Sequence, residues 1–225
     1  WTFTTIAGPE ANCPCTLWDE SVVPIVPSVV DPSTIELGVK FQSDVAGYIT
    51  GIRFYKGPTN TGNHIGNLWD SSGQLLATAT FVNETATGWQ QVNFSAPVAI
   101  VANTTYVASY HTDSGNYAAN SGYFSQGGVD NAPLRAFIDG AQGGNGVYQY
   151  GATGFPSNSY NATNYWVDVV FATEVASDNT PPTVTMTNPV DDAVITGNVT
   201  LAADAADDIG IAGVQFLLDG VTLTA

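Results

Sequence analysis

From Glu36 to Thr173 the chain runs as short segments that alternate apolar and polar residues and stop at Gly, Asn or Pro. In ELGVKFQS, Leu37, Val39 and Phe41 share one face while Glu36, Gly38 and Lys40 share the other. That two-residue period belongs to a half-buried strand. After a turn at Ala46-Gly47, YITGIRFYKG reads as the next strand, and LWDSSGQLLATATFV supplies two more about Ser72-Gly73. GWQQVNFSAPVAI, TTYVASYHT and NYWVDVVFAT continue the series. Strands spaced roughly 8–12 residues apart predict an all-β sandwich of jelly-roll character. No segment carries the amphipathic period of a helix.

Between His111 and Tyr165 the texture changes to Gly, Asn, Ser and Tyr, with GGNG as a turn and VYQYG as a short strand. A loop-rich stretch of this length inside a domain is often functional. Ser177 to Pro182, SDNTPP, has the polarity and paired prolines of a stiff linker. Beyond it TVTMTNP, GNVTLAADA and AGVQFLLDG read as strands, the last closed by an Asp219-Gly220 hairpin turn. The expected organisation is a sandwich module over 1–176, a linker over 177–182 and an incomplete Ig-like sandwich over 183–225.

Charge narrows the partners. With 4 Lys+Arg against 20 Asp+Glu the net charge is −16, which disfavours nucleic acid and anionic membrane surfaces. No apolar run approaches the roughly 20 residues that span a bilayer, so no membrane insertion is expected. Trp1 opens directly into WTFTTI, which itself reads as a strand, as a mature or trimmed N-terminus would. The two cysteines, Cys13 and Cys15, flank Pro14; the residues leave open a local disulfide, free thiols or a bond to another chain.

Candidate chemistry is sparse. His64 and His111 are the only histidines, and neither sits in a pattern that builds a nucleophilic triad. GAQGGNG lacks the Lys of a phosphate-cradling loop, and no carboxylate pair stands out for glycoside hydrolysis. Glu36, Lys40, Arg53 and Asp168 are charges inside otherwise apolar strands, and a buried charge must be paired or metal-bound. Neighbouring first and last strands would bring Glu36 to Asp168, bridged by Arg53 or Lys40 or by Ca²⁺ on oxygen ligands. Asp44 and Glu84 are further candidate ligands, with the Asp204/Asp207/Asp208 loop behind them.

Aromatic residues concentrate in the loop-rich half. Tyr110, Tyr117, Tyr123, Tyr148, Tyr150 and Tyr160, with His111 among them, form the candidate ligand-binding set, and Phe124, Phe155 and Tyr165 lie nearby. Tyrosine faces beside Asn, Gln and Asp suit sugar rings, and Tyr supplies contact area at low entropic cost.

The blocks CPCTLW, ELGVKFQSDVAGYITGIRFYKG, LWDSSGQLLATATF, GWQQVNFSAPVAI, YVASYH and NYWVDVVF, in that order, resemble the bacterial family called domain of unknown function 4082, over roughly residues 11–173. TPPTVTMTNP through DDIGIAGVQFLLDG resembles a bacterial Ig-like domain. A complete one needs about seven strands and on the order of 100 residues, so roughly half is present. The resemblance implies an extracellular, multidomain setting and assigns no catalytic residue. The expected function is a non-catalytic binding or adhesion module, recognising extracellular glycan and stabilised by Ca²⁺. The rival expectation is a structural subunit of an extracellular fibre, assembled by strand addition between neighbouring chains.

Overall fold

The computed structural model describes residues 13–174, 182–206, 213–218 and 221–223, divided into two units between Val175 and Ala176. The WTFTTI segment, most of the expected linker, Asp207, Asp208 and the Asp219-Gly220 turn lie outside the described residues.

The first unit is a sandwich of two antiparallel sheets. Its strands are β1 (Ile35–Ser43), β2 (Gly47–Lys56), β3 (His64–Asp70), β4 (Leu75–Thr80), β5 (Gly88–Ile100) and β6 (Tyr106–Thr112). They continue with β7 (Val129–Asn131), β8 (Leu134–Ala136), β9 (Val147–Tyr150), β10 (Asn158–Ser159) and β11 (Val167–Ala172). The larger sheet has the order β10-β9-β1-β6-β3-β4, with the β7–β8 hairpin also pairing onto β1. The smaller sheet is β11-β2-β5. The chain therefore changes sheet between β1 and β2, β2 and β3, β4 and β5, β5 and β6, and β10 and β11, the jelly-roll-like alternation expected from the spacing of its turns.

The two-residue period decides which side chains enter the core. Leu37, Val39 and Phe41 of β1 share one buried core with Ile52 and Phe54 of β2 and Val167, Val169 and Phe171 of β11. Glu36, Gly38 and Lys40 therefore point to the outer face of the larger sheet, and Arg53 and Asp168 to the outer face of the smaller one. Gly38 is required there. A Cβ at this position would lie 2.6 Å from the Ala108 carbonyl oxygen.

The sheets differ in width, and this positions the site. Among the strands packed across the sandwich, β11 lies against β1 and β6, β2 against β3 and β6, and β5 against β4. β9, with β10 outside it, extends the larger sheet beyond this overlap, with Tyr148 beside Leu37 and Tyr150 beside Ile35. Both tyrosines sit on the core-facing side of the sheet, where loops rather than a strand must cover them.

The second unit holds two hairpin-like pairs, β12 (Thr183–Asn188) with β13 (Ala202–Ala206) and β14 (Leu217–Leu218) with β15 (Val221–Thr222). Val184, Met186, Ile195, Leu201, Phe216 and Leu218 are among the residues lining an apolar trough of about 680 Å³. Met186 and Leu218 are half exposed or more, as expected of a sandwich with few strands.

Candidate functional site

Where β9 overhangs, four tyrosines form a chain of perpendicular ring contacts. Tyr117 meets Tyr165 at 5.7 Å, Tyr165 meets Tyr148 at 6.3 Å, and Tyr148 meets Tyr150 at 5.6 Å, all edge to face. The edge-to-face arrangement is the one aromatic quadrupoles favour. Asp31, in the loop before β1, closes the circle, because its Oδ2 accepts the hydroxyls of Tyr150 (2.7 Å) and Tyr117 (3.2 Å). With Tyr160, the rings line a cavity of about 270 Å³. A second cavity of about 250 Å³ shares Tyr117, Tyr160 and Tyr165 and continues along Val26, Val29 and Thr163.

Burial would raise the Asp31 carboxyl, but the hydrogen bonds from Tyr150, Ser33 and Tyr117 outweigh it and hold the group below the usual carboxylate range. The bond to Asp31, then burial, pushes the Tyr150 hydroxyl up, and burial first of all pushes Tyr117 up. The tyrosines are therefore neutral donors around an anion. Tyr160 is 61% exposed and Tyr150 49%, so the cleft is open to solvent on that side.

Of the candidate ligand-binding set, Tyr117, Tyr148, Tyr150 and Tyr160 come together here. Tyr110 does not, because its place in β6 turns it into the core, stacked on Phe54 at 4.1 Å and hydrogen-bonded by Asn60. Tyr123 joins a different cluster, accepting a hydrogen bond from Trp18 Nε1 and packing against Trp166. His111 alternates with Tyr110 and so faces outward from the larger sheet. Asp31 was missed by sequence reasoning. It lies in a Pro-flanked loop with no pattern around it, and only the fold brings Tyr117 and Tyr150 to it. Tyr165 belonged to the aromatic concentration but was not singled out.

The expected meeting of Glu36 and Asp168 does not occur, because the two carboxylates sit on the outward faces of opposite sheets with the core between them. Glu36 is fully buried; its Oε1 accepts from Asn67 Nδ2 (2.9 Å) and the Ser109 hydroxyl (2.5 Å), and its Oε2 lies 3.5 Å from His111 Nδ1. Asp168 accepts backbone N–H bonds from Leu17 (2.7 Å), Trp18 (3.3 Å) and Val169 (2.7 Å). Burial pushes it up to about 6 against the opposing effects of Arg53 and these N–H groups. Arg53, opposite Asp168 in the ladder, lays its guanidinium over Trp89 at 4.7 Å. Lys40 bonds the Gln142 carbonyl and bridges nothing to Glu36.

Asp44 and Glu84 are engaged by protein side chains, and Asp204 lies in β13 opposite Thr185. Asp44 pairs with Arg135. Glu84 pairs with Lys56 (2.7 Å) and with His64 Nδ1 (2.8 Å), the latter ring packed on Phe54 and touching Asn60 through Nε2. Burial, only partly opposed by Glu84, lowers the His64 pKa. Among the described residues no three His, Cys, Asp or Glu side chains converge on one point. Cys13 and Cys15 form a disulfide with each other, and Cys15 pairs with Phe171 through two backbone hydrogen bonds of 2.8 Å.

Among the described residues no helix is long and apolar enough to cross a membrane. No curated protein matches the chain. Residues 182–225 match a bacterial Ig domain, and neither this description nor the one matched upstream names a reaction. Over residues 21–167 the chain matches, and belongs to, the family described as a domain of unknown function, number 4082.

Proposed function

We propose that the first unit is a non-catalytic binding module of a secreted or cell-surface multidomain protein, and that it holds extracellular glycan in the tyrosine-lined cleft beneath β9. The observation that carries this reading is the closed circle of Tyr117, Tyr165, Tyr148, Tyr150 and Asp31 around an open cavity. Aromatic faces take the C–H side of a sugar ring, and the hydroxyl rim supplies hydrogen bonds. The bacterial Ig domain downstream supports an extracellular setting. The test is a glycan array followed by titration calorimetry on the best hits, with the exposed Tyr160 replaced by Ala. Retention that Tyr160→Ala weakens supports the reading, and no retention on any polysaccharide removes it. Calcium stabilisation belongs to the same reading and is tested by thermal unfolding in Ca²⁺ against EDTA, since binding to the folded state alone raises the melting temperature.

A second reading, a fibre subunit assembled by strand addition, is favoured by one observation. The apolar trough of the second unit leaves Val184, Met186 and Leu218 substantially exposed, as a sheet awaiting further strands would. Concentration-dependent growth of particle size supports it; a monomer at every concentration counts against it.

A further inference from the structure

Resting on the glycan reading, we infer that the cleft selects a positively charged nitrogen, so that its ligands are glycans carrying free amino groups rather than neutral or acidic ones. The residues that line the cavity, Tyr117, Tyr148, Tyr150, Tyr160 and Tyr165, bring no formal charge. Among the described residues, the one charged side chain bonded to them is Asp31, which takes two of their hydroxyls on a single oxygen. Among the described residues, no Lys or Arg lines either adjoining cavity.

Several aromatic rings converging on one small space are a recognised means of holding an ammonium group, because each ring presents a negative face to the cation. Here the arrangement is strengthened by a carboxylate bonded to two of the rings. A phenol that donates its hydrogen to a carboxylate carries more electron density on its ring, as hydrogen-bonded groups polarise one another. Tyr117 and Tyr150 both do this toward Asp31, a partly exposed carboxylate that does not itself line the cavity. A net charge of −16 over the chain adds long-range attraction for cations. An acidic sugar would meet the same features as repulsion. The continuation past Tyr160 and Tyr165 toward Val26 and Val29 leaves room beside the cationic unit for a neighbouring sugar.

The experiment compares glucosamine oligomers of one length, fully deacetylated or fully N-acetylated, by titration calorimetry against the whole chain at fixed ionic strength. The deacetylated oligomer is expected to bind about tenfold more tightly. Asp31→Asn, which keeps a carbonyl acceptor for the tyrosine hydroxyls, is expected to bring that ratio close to one. Tetramethylammonium chloride is expected to displace the deacetylated oligomer at concentrations where potassium chloride does not, a measurement that needs no variant. Equal affinity for the two oligomers overturns the inference and leaves the glycan reading standing. A preference that survives in Asp31→Asn, or that both salts abolish alike, reports diffuse attraction to an acidic surface and also overturns it. Binding of neither oligomer, with no hit on the wider glycan array, ends both.

Discussion

Glu36 stands directly across the β1–β6 ladder from His111, and its Oε2 lies 3.5 Å from the imidazole Nδ1 on the outer face of the larger sheet. Asp113 faces the other ring nitrogen at 3.3 Å, so His111 sits between two carboxylates. The adjacent Glu36 carboxylate raises the imidazole above its ordinary value, against burial, with Asp113 adding to the rise. A base raised on folding stabilises the native state fully below its unfolded pKa of about 6.5, and that stabilisation is lost as pH climbs through the folded value. Urea unfolding of the wild type and His111→Gln from pH 5 to 9 should show a stability difference that is largest below pH ~6.5 and shrinks on the alkaline side. A difference that grows with pH would contradict the pairing.

Asp168 ties the segment before β1 to the outer face of the smaller sheet. Replacing it with Ala leaves the Leu17, Trp18 and Val169 N–H groups without their acceptor. Unsatisfied buried donors are costly, and the expected loss is about 3 kcal/mol, or roughly 6–12 °C in melting temperature. Calorimetric melting checks it. A change under 2 °C would mean that the segment finds other partners, relaxing away from β11.

The Cys13–Cys15 disulfide closes a very short loop, with a sequence separation of 2. Chain entropy then gives it only about 1.6 kcal/mol. Reduction, or the double change to Ser, should lower the melting temperature by roughly 3–6 °C and leave a folded protein with native tryptophan fluorescence. Loss of cooperative unfolding after reduction would show that the bond does more than shorten a loop.

Tyr160 is the cleft residue to change without disturbing the core, since most of its surface faces solvent. Tyr160→Ala should alter stability by no more than about 0.5 kcal/mol. Its affinity for a retained glycan should fall by about tenfold, the scale of a truncated aromatic contact. Calorimetry and a melt on the same sample separate the two effects, and unchanged affinity would move the ligand off this end of the sandwich.

The strands were legible because burial writes itself into the local pattern. The run Leu37, Val39, Phe41 announces a face, and β5 occupies the same residues, Gly88 to Ile100, that the sequence marked. Short strands were harder. GNVTLAADA becomes strand only from Ala202, where pairing with β12 begins. The site was half legible. Tyrosine enrichment between His111 and Tyr165 located the region, but Tyr110 and Tyr123 show why enrichment cannot assign roles. Tyr110 is core because of its parity in β6, and Tyr123 is held by Trp18.

The sequence by itself determined an acidic all-β chain, the inward and outward parity of each long strand, and the two domain types in their order. The tertiary structure alone decided which outward charges meet. Sheet order puts β6 beside β1, so Glu36 finds His111, while Asp168 turns away on the opposite sheet. It also decided the cleft. β9 joins an edge of the larger sheet that the smaller sheet does not cover, and Tyr148 and Tyr150 must be closed over by distant loops that carry Asp31, Tyr117 and Tyr165. Pairings across more than a hundred residues, such as Asp31 with Tyr150, leave no local period to read; they exist only once the sheets have packed.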